Sequence, residues 1–373
     1  MDLNELEKIL KENNQPKFRL EQIKKAIFED GAYSFLEIST ISKDLRELLN
    51  KKLNVLSFKV EKVLESKDGK SVKALFKIHC HSERLAKNPS IGNKSFHYNR
   101  SGSFAEAAQD DNVYYIETVL LSPRPNTWTA CISSQVGCSL RCEFCATGKG
   151  GFKRNLTAEE ITDQILFWKQ YLKKNKINGN FSNIVYMGMG EPFLNWEEVK
   201  KSVEDLINPK LFNFGSRSIS ISTVGIKGGI EKYLAEFPQV NLAISLHFAD
   251  NEMRSQYMPV NKSYDLEDIK KDLQEYFKKS KRKVFIEYIM FEGLNDEIKD
   301  ADKLMEYLKS IGNSYLLHVN LISYNETFGE FKSSSKNKIE KFKDYLLQNK
   351  INATIRKSLG TEIAGACGQL AGK

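Results

Sequence analysis

Apolar residues recur at helical spacing along the first fifty positions: Leu3, Leu6 and Leu10, then Ile23, Ala26 and Ile27, with charges between them. That period predicts helices with one buried face, interrupted at Asn14-Gln15-Pro16. The period then shortens. Residues 57–66 and 71–78 alternate apolar and polar around Lys67-Asp68-Gly69-Lys70, which predicts a β-hairpin. A third strand is expected from about Val113 to Ser122. Residues 79–111 are rich in Ser, Asn and Lys and have no period, so an inserted, mobile loop is expected. His79, Cys80, His81 and His97 fit no usual zinc-finger spacing.

Beyond Thr127 strands and helices alternate. Expected strands are 128–134, 183–188, 218–223, 240–247, 284–290 and 316–322, with a short one near 353–356. Expected helices follow Thr157-Ala158-Glu159-Glu160, a capping box, and cover 196–206, 229–236, 266–277, 301–311 and 336–348. About six β/α units in series predict a parallel sheet with helices outside, an open partial (β/α)6 barrel. Its ligands should gather at the C-terminal strand ends. The expected division is an N-terminal helical domain at 1–53, a β-hairpin extension at 54–126, the barrel at 127–350 and a C-terminal strand and loop at 351–373.

A chain of 373 residues, 41% of them hydrophobic, can bury a sizeable core. No apolar run approaches the ~20 residues of a membrane span, and the charged start Met-Asp-Leu-Asn-Glu lacks a signal-peptide apolar region. A cytoplasmic protein is expected. The net charge of +8 suits a polyanion such as RNA, though a generic basic surface gives the same number. Lys11, Lys17, Arg19, Lys24 and Lys25 make the N-terminal helices the candidate RNA-contacting appendage. Four of the six cysteines fall within 15 residues, which points to metal binding or catalysis rather than to disulfides.

Three of them, Cys138, Cys142 and Cys145, are spaced C-x3-C-x2-C. Electron-transfer clusters and structural zinc sites are closed by four ligands. A set that stops at three leaves one iron of a cubane open to another molecule. The expected strand ends face it with a mostly polar set: Gly190 and Glu191 in Gly-Met-Gly-Glu-Pro, then Ser222, Ser245, His247 and Asn325, with the apolar Leu246 among them. Glu191 offers a carboxylate to an amine, and the glycines permit close backbone approach.

These motifs resemble those of the radical S-adenosylmethionine enzymes, in which the open iron of a [4Fe-4S] cluster is chelated by S-adenosylmethionine and an electron cleaves it to a 5′-deoxyadenosyl radical. C-I-S-S-Q-V-G-C-x3-C-x2-C-A-T-G, F-K-R-N-L-T-A-E-E-I, M-G-M-G-E-P, I-S-T-V-G-I, S-L-H and A-C-G-Q-L together resemble the RlmN/Cfr family of RNA adenine methyltransferases. The resemblance spans the chain except about 79–111. It implies that Cys367 takes a methyl group by displacement. A radical then forms on that methyl and adds to adenine, linking protein to RNA. It implies that Cys131 resolves the link through a disulfide and that Glu117 removes the ring proton. It assigns Gly190, Glu191, Ser222, Ser245, Leu246, His247 and Asn325 to S-adenosylmethionine. The detour has a physical reason: an electron-poor sp² carbon is no nucleophile toward a methyl sulfonium, whereas a thiolate is.

The resemblance further implies a ribosomal RNA substrate, an electron donor such as flavodoxin or ferredoxin, and a monomer. Gln-Val-Gly-Cys and Gly-Glu-Pro look RlmN-like, which implies methylation at carbon 2 of an adenosine in 23S ribosomal RNA; Cfr-type methylation at carbon 8 is the alternative. RlmN-like members often also modify the adenosine 3′ of the tRNA anticodon, and the sequence leaves tRNA open. A non-methylating radical enzyme and a catalytically idle iron–sulfur RNA-binding protein are the alternatives of another class. Cys367, Cys131 and Glu117 together argue against both.

Overall fold

A computed structural model describes residues 1–79, 113–327 and 330–372. The chain opens with helices α1 (Leu3–Glu12), α2 (Phe18–Lys24, continued by a π turn to Glu29) and α3 (Lys43–Lys52). Asp2 caps α1 by accepting from the amides of Asn4 and Glu5, and Ser42 caps α3. Their buried faces, among them Leu6, Ile23, Ile27, Leu45 and Leu49, join the same hydrophobic core as the barrel instead of closing a core of their own. Phe28 meets Phe212 edge-on at 5.0 Å, and the buried Asp163 carboxylate accepts from the Ser57 amide at 2.7 Å. Of the basic residues on these helices, Lys11 and Lys17 are exposed, while Arg19 bonds Gln22 and Thr40 and Lys24 pairs with Glu21.

Strands β1 (Lys59–Glu65), β2 (Ser71–His79), β3 (Val113–Arg124) and β4 (Thr127–Cys131) form an antiparallel ribbon. The expected hairpin is therefore present, and His79 is the last residue of β2 rather than part of a loop. The loop expectation for the rest of 79–111, with Cys80, His81 and His97, falls outside the described residues.

The ribbon runs without a break into the barrel. After β4 come β5 (Gln135–Gly137), the short α4 (Ala146–Lys149), β6 (Phe152–Asn155), α5 (Ala158–Lys174), β7 (Asn180–Tyr186), α6 (Trp196–Ile207), β8 (Ile219–Thr223), α7 (Gly229–Glu236) and β9 (Asn241–Ser245). Then follow α8 (Asn251–Tyr257), α9 (Leu266–Lys279), β10 (Val284–Met290), α10 (Ile298–Ile311), β11 (Leu317–Ser323), α11 (Lys336–Gln348) and β12 (Asn352–Arg356). One ten-stranded sheet has the order β1-β2-β3-β4-β7-β8-β9-β10-β11-β12. From β4 onward neighbours are parallel, and β12 does not return to pair with β4. The sheet is thus an open partial barrel of seven parallel strands, the six of the expected β/α units and the short one expected near 353–356.

The small β5–β6 hairpin brackets the three-cysteine loop and was not expected, because three residues are too few to show a period. Gly137 makes it possible. Its φ is +72°, and a Cβ there would lie 1.7 Å from the carbonyl oxygen of Gly151. Helix α5 starts at the capping box read from the sequence, with Thr157 and Glu160 bonding each other's backbone amides. Its buried Gln164 accepts from the Ser133 amide and donates to the Ser133 carbonyl, each at 2.9 Å, and so holds the chain where it leaves β4.

Two outcomes follow. Gln164→Leu leaves both polar groups of the Ser133 peptide unpaired, at roughly 1–3 kcal/mol each. Urea unfolding should show a loss of about 2–4 kcal/mol. Gly137→Ala must adopt a left-handed backbone and push the Gly151 carbonyl away. The iron bound per chain after anaerobic reconstitution should fall well below wild type, measured by iron assay on folded protein.

Candidate active site

The C-terminal ends of the parallel strands converge on one cavity. Its lining includes Cys131 from the end of β4, and Cys138, Cys142 and Cys145 from the loop that follows. Gly190 and Glu191 after β7, Ser222 on β8, Ser245 and His247 at and after β9, Glu287 on β10 and Arg356 on β12 also line it, with Cys367 from the tail. Most of the residues singled out in the sequence therefore face one space.

The three loop cysteines suit a cluster better than a single ion. Among the described residues no three His, Cys, Asp or Glu side chains converge as ligands of one metal. A cubane, by contrast, takes its thiolates at separate corners. Burial pushes the Cys138 thiol up to about 12 and that of Cys142 higher still. Such thiols ionise only against a strong cationic partner, which an iron core provides. The donors present thus fit a four-iron cluster held by Cys138, Cys142 and Cys145.

The rim that would hold the amino acid end of a cofactor is stitched to the cluster side. The amides of Ser134 and Gln135 donate to the Met189 carbonyl at 2.9 and 3.2 Å, and the Glu191 amide donates to Gln135 Oε1 at 2.8 Å. Gly190 has φ +99°, and a Cβ on it would lie 2.5 Å from Gln135 Cβ. A Cβ on Gly188 would lie 2.6 Å from the Ile132 carbonyl oxygen. The glycines permit this close contact between the two strand-end loops, and both also line the cavity. Glu191 is buried; its two carboxylate oxygens accept from the amides of Phe193 and Val224, each at 3.0 Å. Burial pushes this carboxyl up to about 7 against those hydrogen bonds.

On the next strands, the hydroxyls of Ser222 and Ser245 lie 2.9 Å apart. His247 sits just beyond β9 with φ +58°, a left-handed backbone that a non-glycine residue adopts at a cost. The Ile289 amide donates to its Nδ1 at 3.3 Å, which leaves the ring proton on Nε2. Burial, then the charge of Arg254, pulls the ring down to about 3, so it stays neutral. Leu246 is fully buried and Asn325 nearly so, and neither lines the cavity. Asn325 instead donates to the Cys367 carbonyl at 3.2 Å, which makes it a support of the tail.

The tail carrying Cys367 lies against the cluster loop. The Ala146 amide donates to the Gly368 carbonyl at 2.8 Å, and Thr147 Oγ1 to the Leu370 carbonyl at 2.6 Å. Burial, then the neighbouring Cys367, pushes the Cys131 thiol up to about 12, and Arg356 opposes the rise. Burial likewise raises Cys367, again against Arg356. Arg356 is held by Glu287 at 3.3 Å, and Glu287 accepts from Asn320 at 2.9 Å. Neither residue belongs to a motif read above. An acid inside the apolar run Val284–Met290 and an arginine ending the last strand were the available signals.

Glu117 is not a solvent-facing strand residue. It is 1% exposed and lies outside the cavity lining. Lys73 Nζ is 2.8 Å from its Oε1, while the amides of Ala371 and Gly372 donate to its Oε2 at 2.7 and 3.1 Å.

Known proteins resemble this chain over nearly its whole length. Residues 132–305 match the radical SAM superfamily, and residues 1–55 match the ribosomal RNA large subunit methyltransferase N-terminal domain. A probable dual-specificity RNA methyltransferase RlmN of Syntrophomonas wolfei is 37% identical, over 99% of this chain and 95% of its own. A ribosomal RNA large subunit methyltransferase Cfr of Bacillus velezensis is also 37% identical, over 98% of this chain and 95% of its own. The crystal structure of a radical SAM methyltransferase from Sphaerobacter thermophilus superposes with a TM-score of 0.84 at 32% identity, covering 100% of this chain and 98% of that one. With the three-cysteine loop, the open barrel and near full-length identity all in agreement, the chain belongs to the RlmN/Cfr family of radical S-adenosylmethionine RNA methyltransferases, which use a [4Fe-4S] cluster and S-adenosylmethionine.

Proposed function

We propose that this enzyme methylates carbon 2 of an adenosine in large-subunit (23S) ribosomal RNA through an S-methylcysteine at Cys367. The observation that carries the reading is the meeting of Cys367 and Cys131 in one cavity with the three cluster cysteines. A relay through a thiol requires that meeting; an iron–sulfur protein that only binds RNA does not. When bound, the cluster and S-adenosylmethionine supply a methyl group and a 5′-deoxyadenosyl radical. Gly190, Glu191, Ser222, Ser245 and His247 orient S-adenosylmethionine from the rim, with Leu246 and Asn325 supporting that wall from behind. Cys367 accepts the methyl group as a thiolate, favoured by the charge of Arg356. Cys131 then attacks the Cys367 sulfur of the RNA-linked protein. A disulfide forms, and the product carbon leaves with the electron pair and takes a proton.

Glu117 is the proton acceptor in this reading. Its Oε2 is held by the amides of Ala371 and Gly372, so the tail has to lift before the carboxylate can serve as a base. Carbon 2 is favoured over carbon 8 by Val136 and Pro192, which complete the RlmN-like Gln-Val-Gly-Cys and Gly-Glu-Pro. Overall identity does not weigh here, because relatives named RlmN and Cfr are equally similar. The same reading makes the protein a cytoplasmic monomer reduced by a flavodoxin- or ferredoxin-type donor, with the adenosine 3′ of the tRNA anticodon as a second substrate.

Anaerobically reconstituted enzyme given ribosomal RNA and tRNA in separate reactions should yield 2-methyladenosine, identified by mass spectrometry against 2- and 8-methyladenosine standards. The 8-methyl isomer would assign the enzyme to the Cfr type, and no methyladenosine would end the proposal. Cys367→Ala should keep its iron and lose at least about 99% of turnover, as expected when a covalent nucleophile is removed. Methylation at the wild-type rate would remove the thiol relay.

A further inference from the structure

Arg254, on α8, has no part in the chemistry above, yet it is among the largest fully buried side chains of the molecule. Its guanidinium is held by neutral acceptors alone. Nε donates to the Leu246 carbonyl at 3.2 Å, Nη1 to Asn261 Oδ1 at 2.6 Å and Nη2 to the Val224 carbonyl at 2.6 Å. Among the described residues no carboxylate lies within ion-pair distance of it. The nearby Asp265 is committed to capping α9 through the amides of Glu267 and Asp268. A buried cation without an anion is among the costliest features a fold can carry, and here burial already pulls the group down to about 10.

The missing anion has an obvious seat. Val224 lines the same cavity as the three cluster cysteines, and Leu246 precedes His247 on its rim. The Glu143 amide, between Cys142 and Cys145, donates to the carbonyl of Tyr257 at the end of Arg254's own helix, at 3.0 Å. The charge of Arg254 bears on the Cys142 thiol and on His247. A four-iron cluster on three thiolates carries net negative charge, and reduction adds one more.

We propose that Arg254 is the buried counter-charge of the cluster, a positioning residue that raises the cluster's reduction potential and so makes the cluster easier to reduce. The three neutral acceptors fix the guanidinium without cancelling its charge. A carboxylate partner would fix it equally well and spend that charge. This explains why an asparagine, Asn261, stands where an aspartate would give the stronger bond. His247 stays neutral chiefly because it is buried, and the charge of Arg254 beside it works in the same direction.

The test is an anaerobic redox titration of the reconstituted holoenzyme, read by electron paramagnetic resonance, with iron content measured in parallel. Asn261→Asp keeps the shape and the arginine but introduces the cancelling charge. It should lower the reduced-to-oxidised ratio at a fixed applied potential about tenfold, a 59 mV shift for a one-electron couple. Arg254→Gln should shift in the same direction, and Arg254→Lys should stay near the wild-type potential. Asn261→Asp with a full cluster at the wild-type potential overturns the proposal and leaves Arg254 as a strap. That variant decides alone if Arg254→Gln does not fold. Wild-type protein that binds no four-iron cluster would instead overturn the cluster assignment beneath the proposal, and the proposal with it.

Discussion

Two loops leave neighbouring parallel strands β4 and β7, and they are sewn to each other. The Met189 carbonyl accepts from two successive amides of the β4 loop, Ser133 Oγ accepts from the Met189 amide, and Gln135 Oε1 accepts from the Glu191 amide. Everything at the site depends on this seam, because one loop carries the cluster cysteines and the other carries Glu191. Every bond of the seam ends on the backbone of the β7 loop, two from β4-loop amides and two from the buried Ser133 and Gln135 side chains, so the fold fixes the separation of the two loops. The seam tolerates no Cβ at Gly188 or Gly190, so the glycine pattern follows from packing before any ligand is considered.

Much of this was legible in the sequence. The strand–helix alternation predicts the parallel order, and the capping box at Thr157 marks the start of α5 to the residue. The three-cysteine spacing and the rim rule bring Cys138, Cys142, Cys145, Glu191, Ser222, Ser245 and His247 to one cavity. What escaped has physical causes. The β5–β6 hairpin is shorter than any detectable period. Glu117, a lone carboxylate in a strand, reads as solvent-facing, but Lys73 on β2 and the tail cover it, the tail across more than two hundred positions. Arg254 lies in a short polar helix, so only the fold reveals that it is buried. Leu246 and Asn325 sit beside the cavity without lining it, a distinction of one residue's rotation that no motif encodes.

The charges of the site are arranged in two layers with opposite designs. Around the thiol pair, Arg356 is paired with Glu287, and Asn320 supports that carboxylate in turn. A paired arginine presents a directed, partly cancelled field, which suits the ionisation that the proposed thiol relay asks of the two sulfurs. Around the cluster loop, Arg254 is held by neutral acceptors, with no carboxylate among the described residues within ion-pair distance. A cluster never sheds its negative charge, so a permanent counter-charge suits it.

The C-terminal segment joins the two layers. Its carbonyls at Gly368 and Leu370 are held by Ala146 and Thr147, which directly follow Cys145, while its amides at Ala371 and Gly372 rest on Glu117. The position of Cys367 is therefore set from one side by the folding of the cluster loop and from the other by a carboxylate on β3. Only Ala366 and Leu370 anchor the segment in apolar surroundings, so a few hydrogen bonds decide whether it stays down. Because backbone bonds of this kind contribute only about 1 kcal/mol net each, the segment can be released without disturbing the barrel beneath it. The thiol relay proposed for Cys367, which faces the cofactor first and an RNA base afterwards, needs that combination of fixed seat and weak fastening.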